Sequence, residues 1–116
     1  MSQADQLAVD RARVFAALGD PVRLALLAQM GAGTDTGGSI TDLAQGLPIT
    51  RQAVTRHLRV LERAELIEAQ RHGREVRFVA RPARIAQAKG WLDEVARQWD
   101  STLGRLKFHV EEAGPD

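Results

Sequence analysis

Thr50-Arg51-Gln52-Ala53-Val54-Thr55-Arg56-His57-Leu58-Arg59-Val60-Leu61 carries two patterns at once, and the rest of the chain is best understood outward from it. Val54, Leu58 and Leu61 recur at the spacing that puts apolar side chains on one side of an α-helix and docks that side on a core. Arg51, Gln52, Thr55 and Arg56 fall on the other side, near the helix start. Their donors and acceptors suit the edges of guanine and adenine. A helix that is apolar on one side and basic and hydrogen-bonding on the other has the form needed to read DNA while anchored to its own protein. A surface helix with solvated arginines shows the same local pattern, so the flanking sequence has to decide.

Upstream, Ser39-Ile40-Thr41-Asp42 has the cap-x-x-acid form of a helix start, which predicts a short helix through Leu43 and Ala44 to about Gly46. Pro48 forbids its continuation. Thr50 can then cap the next helix by accepting from the N–H of Gln52 or Ala53. Two helices joined by so short a turn make a helix-turn-helix unit over about 40–64. Downstream of Leu66-Ile67 the pattern becomes strand, turn and strand, with Glu68 to Arg71, then His72-Gly73, then Arg74 to Val79. Gly73 supplies the permissive backbone of a tight turn. Val76 and Phe78 alternate with Glu75 and Arg77, so one face is expected to pack on helices and the other to meet solvent or a ligand. A basic hairpin after such a helix is a wing, placed at about 67–80.

Earlier, Asp5 to Leu18 reads as a first helix with Leu7, Val14, Phe15 and Leu18 as its apolar positions, ended by Gly19. Asp20-Pro21 restarts the chain, since Asp caps well and Pro fits the first helical position. The second helix is expected to place Leu24, Leu27 and Ala28 inward and to stop before Gly31. Gly31 to Gly38 reads as a flexible loop; without a preceding strand or a closing Gly-Lys-Ser/Thr it is not a phosphate loop. From Pro82 the sequence returns to helix, over about 83–111, with a heptad-like seam at Leu92, Val95, Trp99, Leu103, Leu106 and Val110. The predicted class is mostly α with a small β-hairpin (α+β), in the order ααα-α-ββ-α, with no internal repeat.

Composition sets the frame. At 116 residues the chain fits a single domain, 1–116, and a partner subunit could supply part of its stability. No run approaches the roughly 20 apolar residues of a membrane span, and the N-terminus lacks a secretory signal, so a cytoplasmic protein is expected. The absence of Cys excludes disulfides, thiolate metal sites and cysteine redox sensing. The net charge of +1 conceals a segregation: residues 51 to 84 hold nine Arg against four Glu, whereas the segments on either side are each net acidic. Such a block is the footprint of a nucleic-acid surface or of a solvated face.

With its elements in this order the chain resembles the ArsR/SmtB family of bacterial winged-helix repressors. The resemblance rests on Phe15-Ala16-Ala17-Leu18-Gly19-Asp20-Pro21-Val22-Arg23-Leu24, on Ile40 to Ala44, on Gln52 to Leu61 and on Arg71-His72-Gly73-Arg74-Glu75-Val76-Arg77-Phe78. It implies a homodimer joined through first and last helices, which puts Leu7, Val14, Leu92, Val95, Trp99, Leu103, Leu106 and Val110 at the interface. It also implies that the dimer blocks transcription by occupying a near-palindromic operator of double-stranded DNA. Some members sense metals through thiolates or through paired His and acidic ligands. This chain has no Cys, and His57, His72 and His109 are spread over a helix, a wing and a tail, a poor set for zinc. No metal and no cofactor is expected, and the closest likeness is to metal-independent members with a Trp-rich last helix, here Trp91 and Trp99. A small-molecule effector is left unidentified. Glu65 departs from the family, which usually ends the recognition helix with a left-handed Gly; a non-Gly residue there costs about 1 kcal/mol.

Base contacts are expected from Arg51, Gln52, Thr55 and Arg56, with Thr50 as cap and within reach of a phosphate. His57 either bonds a phosphate or a nearby carbonyl, the structural role being favoured. In the wing, Arg71, Arg74 and Arg77 are expected to neutralise phosphates, though not all three need touch DNA, with His72 or Arg74 at the tip reaching a minor groove. Arg59 and Arg63 are explained nearly as well by intrahelical pairs with Glu62 or Glu65. Trp91 and Trp99 read as packing anchors rather than as an effector pocket, and Gly90 and Gly104 as places for close helix approach or a bend. No nucleophile, base and orienting group fall at a recognised spacing, so the chain is not read as an enzyme. The alternatives to a repressor are a winged-helix module that docks another protein, which would not need these arginines, and a metal-responsive repressor with a non-thiolate site.

Overall fold

Seven elements follow one another in the computed structural model, which describes residues 2–31 and 37–112, with side chains through residue 101. They are α1 (Gln3–Leu18), α2 (Pro21–Gly31), α3 (Ile40–Ala44), α4 (Arg51–Arg63), β1 (Ile67–His72), β2 (Glu75–Ala80) and α5 (Pro82–Glu112). This is the predicted order. Of the glycine-rich segment expected to be a loop, residues 32–36 lie outside the described residues. No single helix among the described residues is long and apolar enough to cross a membrane.

Local chemistry sets the boundaries. Ser2 caps α1 by accepting from the Asp5 N–H at 3.1 Å, and Asp20 Oδ1 caps α2 by accepting from Val22 and Arg23 at 2.9 and 3.1 Å. Ser39 and Asp42 form a reciprocal capping box at the start of α3. Thr50 caps α4 by accepting from the Ala53 N–H at 3.1 Å.

The chain divides into two compact units, Met1–Ile85 and Ala86–Asp116. The first has α4 at its centre, packed against α1, α2, α3 and β1. Val54, Leu58 and Leu61 are fully enclosed, as their spacing predicts, together with Val14, Leu26, Leu66 and Ile67. Burial of each such side chain favours folding by about 1.5–3 kcal/mol, so α4 is fixed by its apolar stripe. On α2 the inward residues are Leu26 and Met30, while Leu24 is exposed. The expected face of Leu24, Leu27 and Ala28 is therefore displaced. This short helix is apolar nearly all round, so periodicity alone cannot orient it. In the second unit Leu92, Val95 and Trp99 are exposed.

β1 and β2 pair antiparallel from Ile67↔Ala80 to His72↔Glu75, which makes Gly73-Arg74 the two-residue turn, one position later than His72-Gly73. Gly73 has φ 65, as a tight hairpin with glycine first in the turn requires. The expected alternation holds only in part. Phe78 and Val79 are both buried at the hairpin base, while Val76 stands exposed nearer the turn, and β2 packs on α2 and α3. A third backbone segment joins that base: Phe78 donates to Gly38 O at 2.8 Å and Gly38 donates to Phe78 O at 3.0 Å. Gly37, at φ 65, is required there, since a Cβ would overlap the Phe78 carbonyl oxygen. Periodicity gave no hint of this pairing, because a single bridge has no repeat.

Glu65 ends α4 with φ 62. Leu66 N–H reaches Leu61 O at 3.0 Å and Glu65 N–H reaches Glu62 O at 2.9 Å, the bonding of a left-handed helix cap. The helix therefore ends in a left-handed cap with Glu65 where glycine was expected, and this chain tolerates the strain.

Candidate nucleic-acid interface

α4 presents Arg51, Gln52, Arg56 and Arg59 to solvent on the side opposite its buried stripe. Thr50 is exposed and occupied as the cap. Thr55 is half-buried, and its hydroxyl donates to Arg51 O at 3.0 Å, which leaves oxygen lone pairs free to accept from a ligand. The four residues expected to touch bases thus lie together on the first two turns of one helix.

His57 turns the other way. Its Nδ1 is 3.2 Å from Arg23 Nη1 and 3.9 Å from Asp20 Oδ1, so it faces the α1–α2 corner. Arg23 also donates through Nε to Ala17 O at 2.7 Å and through Nη2 to Ala16 O at 3.2 Å. Backbone N–H donation from Arg23 chiefly, and from Val22, holds the Asp20 carboxyl below the usual carboxylate range against the opposing effect of desolvation. Arg23 was not among the residues expected at the site. Its signal was its place just past the Asp-Pro cap, where a long cation can reach the carbonyls ending the preceding helix.

On the wing, Arg71, His72 and Arg74 are exposed. Gln70 Nε2 donates to Glu68 Oε1 at 3.0 Å, so its oxygen faces His72 Nε2 at 3.3 Å. That contact makes Nε2 the donor and leaves Nδ1 for a ligand. Arg77 is placed differently: it donates to Gly37 O at 3.0 Å and to Glu75 at 3.1 Å and lies 3.6 Å from Asp42. It ties the wing to the segment before α3. Between wing and helix-turn-helix runs a groove of about 490 Å³ with Thr41, Asp42, Arg51, Glu75 and Val76 among its walls.

Of the residues expected at a dimer interface, Leu7, Leu92, Val95 and Trp99 are exposed, whereas Val14 is fully enclosed within the first unit. Leu103, Leu106 and Val110 lie outside the residues whose side chains are described, as does His109. Among the described residues no group of three or more His, Asp or Glu is placed to hold a metal ion. Arg84, also unforeseen, donates to Ala64 O at 3.1 Å and to Asp10 at 2.9 Å and lies 3.8 Å from Glu65. It closes the C-terminal end of α4.

Comparisons with known proteins bear on the family and the fold. A family described as a helix-turn-helix domain matches residues 18–70. An ArsR-like transcriptional regulator from Rhodococcus sp. RHA1 is 32% identical, with 90% of this chain and 96% of that one covered and a TM-score of 0.77. The transcriptional repressor SdpR of Bacillus subtilis is 27% identical over 90 residues, 78% of this chain and 97% of its own length. The fold is shared with the homodimeric winged helix-turn-helix domain Mb0332 of Mycobacterium bovis, at 21% identity, a TM-score of 0.66 and coverage of 84% and 88%.

Proposed function

The chain belongs to the ArsR-type winged helix-turn-helix transcriptional regulators, and on that premise we propose that it is a homodimeric repressor that occupies an inverted-repeat operator. The observation that carries this reading is the two-sidedness of α4. Val54, Leu58 and Leu61 are wholly buried, while Arg51, Gln52 and Arg56 are exposed on the same helix, so the basic face is held rigidly toward a partner. Arg51, Gln52, Thr55 and Arg56 then read bases in a major groove, and Arg71, Arg74 and His72 follow the adjacent backbone or minor groove. Bidentate Arg–guanine and Gln–adenine pairs each discriminate by about 1–3 kcal/mol.

Repression is favoured by the likeness to SdpR, and dimerisation by the homodimeric domain that shares the fold. The exposed Leu7, Leu92, Val95 and Trp99 supply apolar surface for a second copy, with Leu103, Leu106 and Val110 continuing the seam by sequence. Residues 1–116 then act as one cytoplasmic functional domain, in which the second unit carries the dimer helix. An effector, if one is used, must bind two subunit arrangements unequally to release DNA.

Footprinting on the DNA upstream of the chain's own gene tests the reading. Protected inverted half-sites about 34 Å apart, one helical turn, are the expected result. Protection without symmetry, or none, overturns the dimeric repressor.

A further inference from the structure

Of the three wing arginines, Arg77 alone is largely covered, with 20% of its side chain exposed. Its Nη2 donates to Gly37 O at 3.0 Å and lies 3.6 Å from Asp42 Oδ2, while Nη1 donates to Glu75 Oε2 at 3.1 Å. The neighbouring Phe78 grips the same segment through its backbone, by the two bonds to Gly38. The wing is therefore stapled to the segment that starts α3, the first helix of the helix-turn-helix.

Charge gives the second half of the argument. Asp42 and Glu75 both line the groove between α3, Arg51 and the wing. A duplex seated on α4 and on the wing tip at once has to pass over that groove. Two bare carboxylates there would repel its phosphates. The Arg77 guanidinium lies between them and offsets both.

We propose that Arg77 is a positioning residue for DNA binding: it fixes the wing against the helix-turn-helix and neutralises Asp42 and Glu75, and it does not itself contact a phosphate. This rests on the DNA-binding reading above and assigns Arg77 a different part in it from Arg71 and Arg74. The Arg77 side chain joins Glu75 on the wing to Gly37 and Asp42 at the start of the helix-turn-helix, while the exposed Arg71 and Arg74 remain to meet the backbone.

Two measurements on the full chain test it. In the free protein, amide hydrogen exchange at Gly38 and Phe78 is expected to quicken about tenfold in Arg77→Ala while Val54 and Leu58 keep their protection; unchanged exchange at Gly38 and Phe78 overturns the tether. On a random-sequence duplex titrated over a range of salt, Arg74→Ala is expected to lower the salt slope by about one ion, the signature of a lost phosphate contact. Arg77→Ala is expected to weaken binding, and Arg77→Ala/Glu75→Gln, which restores the wild-type net charge, to recover most of the loss. A slope lowered as in Arg74→Ala, with no recovery in the double variant, makes Arg77 a phosphate contact and overturns the proposal. A wild-type chain that binds no duplex overturns the DNA-binding reading and with it any positioning role, whatever the exchange result says of the fold.

Discussion

Nδ1 of His57, one position beyond the exposed Arg56 on α4, lies 3.2 Å from Nη1 of Arg23, whose guanidinium also donates to the carbonyls of Ala16 and Ala17 that end α1. α4 is thus tied to the α1–α2 corner by polar contacts as well as by its apolar stripe. Arg23→Met removes these side-chain bonds, while Ala16 O keeps the Gly19 N–H at 3.2 Å, and is expected to cost about 1–3 kcal/mol, read as a lower urea midpoint. A wild-type midpoint would show that these bonds carry no stability. Because His57 faces inward, His57→Gln is expected to bind duplex DNA within a few-fold of wild type.

Asp20 makes the same corner sensitive to acid. Its folded carboxyl titrates below the ordinary value of 3.8, held down first by the Arg23 backbone N–H. A depressed acid pKa stabilises the fold fully above the unfolded value and loses that contribution as pH falls through the folded one. The gap in unfolding stability between wild type and Asp20→Ala is therefore expected to be steady near neutrality and to narrow below about pH 4. A gap independent of pH would remove Asp20 as its source.

The sequence reading and the structure part company in an orderly way. Element order, the stripe of Val54, Leu58 and Leu61, and the caps at Asp20, Ser39 and Thr50 were legible because each depends on spacing or on a neighbour within a turn of helix. The exposed placement of Arg51, Gln52 and Arg56 followed from the same period. What stayed hidden depends on contacts distant in sequence. Arg77 reaches Gly37 across 40 positions and Arg84 reaches Asp10 across 74, so neither could be told from a solvated arginine. The inward face of α2 was hidden for another reason, since Leu24 and Leu26 are equally apolar and only packing chooses between them.

Glu65 offers a stabilising change. Its φ of 62 is strained for any residue with a Cβ, and Glu65→Gly is expected to raise stability by up to about 1 kcal/mol. The lost approach to Arg84 at 3.8 Å subtracts little, because Glu65 is exposed and Arg84 keeps Asp10 at 2.9 Å. A lower thermal midpoint in the variant would mean that the ion pair outweighs the strain.

Gly37→Ala tests the wing base. The added methyl overlaps the Phe78 carbonyl, so the Gly38–Phe78 pairing has to open while the core around Leu58 and Leu61 stays closed. The expected outcome is fast exchange at Phe78, retained helical circular dichroism and weakened duplex binding. Unaltered exchange at Phe78 would contradict the close approach.

The most direct test is fluorescence anisotropy of the protein on duplex DNA from upstream of its own gene against a scrambled duplex of equal length, at low and at physiological salt. A preference for the upstream duplex that persists as salt rises, and that Arg56→Ala abolishes without dissolving the dimer, is the predicted result. Equal binding to both duplexes that disappears with salt, or no binding at all, would contradict sequence-specific recognition by α4.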